Sequence, residues 1–137
     1  MADDAASGVR QKSLRILLVD GAPEMRDILR RLLDTEDVEI VAVPLGRVAL
    51  EVAGRTRFDV VLTDLRLPDI PGELVIRQLR ATAGPVPRVV AMTEVGEAYQ
   101  SRARGAGAEV VLVKPFDWTA LRGCLSPPQA APKADAA

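Results

Sequence analysis

Residues 58–72 read FDVVLTDLRLPDIPG. A mostly apolar run closes on an acid, Asp64, and gives way to a loop holding Pro68 and Pro71. Such a run suits a strand buried on both faces, as in a parallel sheet covered by helices on each side. Leu74, Val75 and Leu79 follow at helical spacing, so the local unit is strand, loop, helix.

The same unit repeats outward in both directions. Upstream, LRILLVD (Leu14 to Asp20) is a second apolar run that ends on an acid. Pro23 then suits a first helical turn, and Met25, Ile28, Leu29, Leu32 and Leu33 form one apolar stripe. VEIVAV (Val38 to Val43) reads as a strand, followed by a stripe of Leu45, Val48, Ala49, Val52 and Ala53 that ends near Gly54. Downstream, PRVVAMT (Pro87 to Thr93) is the fourth strand, with a weaker Arg- and Ala-rich helix over Glu97 to Arg104. EVVLV (Glu109 to Val113) is the fifth strand, and a short helix from Asp117 to Leu125 ends the domain. Five strands alternating with five helices imply a parallel α/β sheet with right-handed crossovers. Ligands of such sheets bind beyond the carboxyl ends of the strands.

The 137 residues suffice for one domain, expected over 14–125, with a small, polar tail at 1–13 and an Ala/Pro-rich tail at 126–137 expected to be disordered. Only 3% of residues are aromatic, so the core is aliphatic. Eighteen basic and 19 acidic residues leave a net charge of -1, which argues against nucleic acid or an anionic membrane as partner. With no membrane-length apolar run and no signal-peptide core, a cytoplasmic protein is expected. One cysteine excludes an internal disulfide, and the absence of histidine excludes His-based triads and most zinc sites. Any metal is then a hard, oxygen-bound ion such as Mg²⁺.

The strand ends supply Asp20, Asp64 and Thr93, with Lys114 just past the fifth strand. Lys12 and Lys133 fall in the tails, which makes Lys114 the sole lysine of the folded region. Two carboxylates, a hydroxyl and an ammonium at one rim suit phosphoryl transfer onto a carboxylate. That reaction needs a metal ion and a cation to neutralise the approach of two anions. Taken singly the residues are less telling. Asp20 alone suits a helix cap, Thr93 alone is an ordinary strand residue, and Lys114 alone could be a surface lysine. The arginine pairs at 30–31 and 102–104 read as solvated helix faces, Cys124 as a small apolar packer and Trp118 as an anchor of the last helix.

Four stretches in register, ILLVD with Pro23 three residues on, VVLTDLRLPDIPG, VVAMTEVG and GAEVVLVKPF, resemble the receiver domain of two-component response regulators. The resemblance covers about Arg15 to Leu125. It implies a flavodoxin-like, doubly wound sheet in the order 2-1-3-4-5, with Asp64 as the phosphoacceptor. It further implies a Mg²⁺ pocket of Asp20, Asp64 and the Arg66 backbone carbonyl, with Thr93 and Lys114 contacting the phosphoryl group. Lys114–Pro115 would be a cis peptide bond.

Three positions depart from the family pattern. Gly21 stands where a second acid is usual, so Mg²⁺ is expected to bind weakly, with Glu24 or Glu94 as a candidate replacement. Glu94 stands where a small residue is usual. Val111 replaces an aromatic that often swings inward on activation, which leaves Tyr99 as a candidate for a rebuilt switch.

The expectation is therefore a stand-alone receiver, not an enzyme with an independent substrate. It takes its phosphoryl group from a histidine kinase or histidine phosphotransfer protein and signals to another protein in trans. The surface of the fourth helix, fifth strand and last helix would carry that signal, and is also a candidate homodimer interface. The competing expectation is a pseudo-receiver that binds its partner without phosphorylation.

Overall fold

Along the described residues of the computed structural model (14–34, 37–82, 84–116 and 118–125), strand and helix alternate from end to end. The elements are β1 Leu14–Val19, α1 Pro23–Leu33, β2 Val38–Val43, α2 Gly46–Arg55, β3 Val60–Asp64, α3 Gly72–Ala81, β4 Arg88–Thr93, α4 Glu97–Ala106, β5 Val110–Val113 and α5 Trp118–Leu125. All neighbouring strands are parallel, in the order β2-β1-β3-β4-β5. This is the doubly wound, flavodoxin-like sheet that the sequence predicts. The tails 1–13 and 126–137 and the Trp118 side chain lie outside the described residues.

The strands are mostly apolar because each face is covered. Leu17, Val19, Val61, Val89 and Ala91 pack beneath Ala49 of α2, Val75, Ile76 and Leu79 of α3, and Ala103 and Ala106 of α4. Ile16, Leu18, Leu62, Val90 and Met92 face the opposite way, against Leu29 and Leu33 of α1 and Leu121, Cys124 and Leu125 of α5. Alternate residues of one strand thus feed two separate cores. Cys124 is buried, and desolvation, opposed by the nearby Arg88, pushes its thiol up from the ordinary range. That suits the packing role read from the sequence.

Two of the expected helical stripes are narrower than the sequence suggests. Ile28 and Leu32 are 49% and 42% exposed, and Leu74 is 38% exposed. At 100° per residue, positions 28 and 32 sit on the flank of the helix whose inner line is Leu29 and Leu33. In α3, Ile76 takes the inward place instead of Leu74.

No helix among the described residues is long and apolar enough to cross a membrane.

Candidate functional site

Sheet register fixes where the polar strand ends fall. Val19 pairs with Thr63, which brings the next residues, Asp20 and Asp64, to adjacent strand tips. Asp64 pairs with Met92, so Thr93 lies one step beyond, and Thr93 pairs with Val113. Lys114 follows, its backbone N–H donating to the Thr93 carbonyl at 2.8 Å. Lys114–Pro115 is a cis peptide bond, as the resemblance implies.

The side chains converge as well. The Lys114 ammonium donates to Asp64 Oδ2 at 3.1 Å and lies 3.6 Å from Asp20 Oδ2. One cation therefore holds two carboxylates, and Asp20 and Thr93 are each only 1% exposed. Asp64 Oδ1 accepts the Arg66 N–H at 3.2 Å, the turn that aims the carboxylate back over the loop. Asp20 Oδ1 accepts the Ala22 N–H at 2.9 Å.

Two buried oxygens, Asp20 Oδ2 and Thr93 Oγ1, have no hydrogen-bond partner. Buried polar groups are ordinarily satisfied, so a pair of exceptions on two strands of one rim points to a site built for a ligand. An acid oxygen and a hydroxyl are also the chemistry that a hard cation and a phosphoryl oxygen would take. The donor set thus fits Mg²⁺ in reduced form. Among the described residues, no three acids gather closely enough to hold a metal. Glu24 and Glu94, the candidates to replace the acid missing at Gly21, both have exposed side chains. Glu24 lies in the first turn of α1 and Glu94 directly follows the buried end of β4.

Burial pushes the Asp20 carboxyl above the usual carboxylate range. The Ala22 N–H and the Lys114 charge pull it down, and the Asp64 charge adds to the rise. An acid that holds its proton more tightly folded than unfolded weakens the fold as pH rises through the interval between its two pKa values. Asp20→Asn removes that penalty. The variant is expected to exceed the parent in stability at pH 7 by on the order of 1 kcal/mol. In urea unfolding the gap should close as pH falls below about 4, where the parent carboxyl is neutral in both states. A gap that is absent at pH 7, or unchanged at low pH, would contradict this reading of the pocket.

Sequence reasoning missed two supports. Arg26 on α1 reaches back so that Nη1 donates to the Asp20 carbonyl at 2.8 Å. Asp69, in the loop after Asp64, accepts the Gly46 and Arg47 N–H groups at 2.8 and 2.9 Å, capping α2 from across the molecule. Partial desolvation raises the Asp69 carboxyl, but the N–H donors of Arg47, Gly46 and Ile70 outweigh it and hold it low. Only the spacing of Arg26 from Asp20, one helical turn into α1, offered a signal for the first; a 23-residue separation hides the second.

Comparison with known proteins agrees with this geometry. The family model described as the response regulator receiver domain matches residues 16–126. A protein-glutamate methylesterase/protein-glutamine glutaminase of Nocardioides sp. is 34% identical over 106 residues, which are 74% of this chain and 29% of that protein. Response regulator MprA of Mycolicibacterium vanbaalenii is 34% identical over 103 residues, 75% of this chain and 45% of that protein. The chain thus spans less than half the length of these curated relatives. Among solved structures, the chemotaxis response regulator CheY4 of Vibrio cholerae superposes with a TM-score of 0.73 at 26% identity, covering 82% of this chain and 98% of that one. The receiver domain of sensor histidine kinase PA1611 of Pseudomonas aeruginosa, solved with a magnesium ion coordinated in its active-site cleft, gives 0.71 at 28%, covering 82% and 94%.

Proposed function

This chain belongs to the response regulator receiver family, and on that premise we propose that Asp64 accepts a phosphoryl group from the phosphohistidine of a histidine kinase or phosphotransfer protein. The observation that carries the reading is the shared ammonium: Lys114 lies 3.1 Å from Asp64 and 3.6 Å from Asp20, with the Thr93 hydroxyl unpartnered on the neighbouring strand. An Asp64 carboxylate oxygen attacks the donor phosphorus as the phosphorus–nitrogen bond breaks, and the electron pair leaves with the imidazole. The product is an acyl phosphate on Asp64.

Each neighbour has a part in that step. Lys114 moves from pairing two carboxylates to pairing one phosphoryl oxygen, and its positive charge offsets the charge brought in. Thr93 Oγ1 donates to a second phosphoryl oxygen. The Arg66 N–H fixes the carboxylate for an in-line approach. Asp20, Asp64 and the Arg66 carbonyl would hold Mg²⁺, which when bound supplies the neutralisation that a carboxylate nucleophile needs against an anionic phosphoryl group. With Gly21 in place of a third acid, weak binding follows, because fewer charged ligands face the ion. Signalling then proceeds by contact with another protein, through the surface of α4, β5 and α5.

A second reading has one observation in its favour. With Gly21 in place of an acid, no three-acid group forms among the described residues, which suits a receiver that binds its partner without phosphorylation. Incubation with phosphoramidate over a series of Mg²⁺ concentrations, followed by intact mass, separates the two. The phosphoacceptor reading predicts one phosphoryl adduct that requires Mg²⁺. No adduct at any Mg²⁺ concentration would leave the binding-module reading standing.

A further inference from the structure

The aromatic residue missing at Val111 has a counterpart elsewhere. Tyr99, in the first turns of α4, is partly buried and packs against the same core as Val111. The Arg102 guanidinium carbon lies over its ring, 4.9 Å from the centroid. Arg102 Nε also pairs with Glu73 Oε2 of α3 at 3.0 Å, and the Glu73 side chain is only 17% exposed. Glu73 in turn follows Gly72, whose backbone presses on the end of β3: a Cβ there would lie 2.3 Å from the Asp64 carbonyl oxygen. At the other end, Gly96 joins the Thr93 loop to α4, and a Cβ on it would sit 3.3 Å from the Tyr99 ring.

Glu73, Arg102 and Tyr99 thus form a chain of contacts between the start of α3, which abuts the end of β3, and the start of α4, which follows the Thr93 loop. The second of these helices is weakly held. α4 fully buries only Ala103 and Ala106, and glycines in backbone conformations that other residues rarely adopt bound it at both ends, Gly96 at φ +142 and Gly107 at φ +115. A helix with so little apolar anchorage and hinge-like ends is easily biased by a polar clamp.

We infer that Glu73, Arg102 and Tyr99 form a latch that holds α4 in its resting position, and that this latch opposes occupation of the phosphoryl site, from which the Thr93 loop leads into α4. The inference rests on the proposed phosphoacceptor role of Asp64. Coupling of this kind is reciprocal: loosening the latch must raise affinity for whatever fills the phosphoryl site.

Beryllofluoride with Mg²⁺, a phosphoryl analogue that bonds to a carboxylate, supplies one readout, and amide hydrogen exchange over residues 97–106 without any ligand supplies the other. Arg102→Ala, which removes both the ion pair and the ring contact, is expected to bind beryllofluoride roughly five-fold more tightly than the parent, and Glu73→Gln roughly two-fold. Their effects in the double variant should fall short of the product, since both break one chain of contacts. Exchange in α4 should quicken in both. Unchanged exchange, or quicker exchange with unchanged affinity, overturns the latch. A parent that binds no beryllofluoride sinks the phosphoacceptor role instead, and the latch is then decided by exchange alone.

Discussion

Asp64→Asn takes up no phosphoryl group from phosphoramidate at any Mg²⁺ concentration, and its fold is at least as stable as the parent's. The expected loss is complete because the substitution removes the nucleophile while leaving its surroundings intact. A carboxamide has no anionic oxygen to attack phosphorus. It is close in shape to the carboxylate, so Thr93, Lys114 and the Arg66 N–H keep their places. Stability should hold or rise, since the Asp20 carboxylate then no longer faces a second negative charge, while Lys114 keeps Asp20 as its partner. Intact mass after phosphodonor treatment, with thermal unfolding alongside, checks both halves. An adduct of undiminished yield would place the reactive acid elsewhere, and a collapsed fold would make Asp64 a structural residue.

The second large effect concerns the backbone behind that acid. Gly72→Ala would bring Cβ to 2.3 Å from the Asp64 carbonyl oxygen and 2.6 Å from the Leu65 Cα. Both obstacles are main chain, so no rotamer change relieves the clash. The start of α3 must retreat from β3, stretching the Gly72 N–H bond to the Leu65 carbonyl, now 2.8 Å. Overpacking against backbone of this kind costs about 3 kcal/mol, or a drop in Tm on the order of 10 °C for a domain of this size. Phosphoacceptance should fall too, because the clash presses on the Asp64 carbonyl and the Leu65 main chain, the backbone that places the Asp64 carboxylate. Gly54→Ala is the matched control. It lies within α2 with nothing inside 4 Å of its Cβ position, and should stabilise by about 0.5–1 kcal/mol through helix propensity alone. Equal Tm values for the two variants would contradict the close packing at Gly72.

Much of this site was legible before any coordinates, for a definite reason. A strand buried on both faces is mostly apolar, so Asp20, Asp64 and Thr93 stand out as the polar groups at the carboxyl ends of the first, third and fourth strands. Lys114 stood out as the sole lysine of the folded region. Parallel pairing then forces those positions to one edge.

What stayed hidden depends on partners distant in sequence. Asp69 looks like any turn acid until α2 is folded beside it, 23 residues away. Gly72 reads as a helix start, and only the approach of α3 to β3 shows that it has no room for a side chain. Ile28 and Leu32 extend an apolar stripe on paper, yet only Leu29 and Leu33 of α1 are fully buried, with Met25 packed beside them. The suggested third acid at Glu24 or Glu94 rested on nearness in sequence, and both side chains are exposed.

The central claim is that Asp20, Asp64, Thr93 and Lys114 share one pocket able to neutralise an incoming phosphoryl group with the help of a hard cation. Titration of the ¹⁵N-labelled protein with Mg²⁺, followed by amide resonances, meets that claim head on. The account predicts saturable, parallel shifts at Gly21, Ala22, Leu65 and Arg66 that are lost in Asp20→Asn. Shifts confined to other acids, such as Glu24 or Glu51, or none at these four amides up to saturating Mg²⁺, would contradict it.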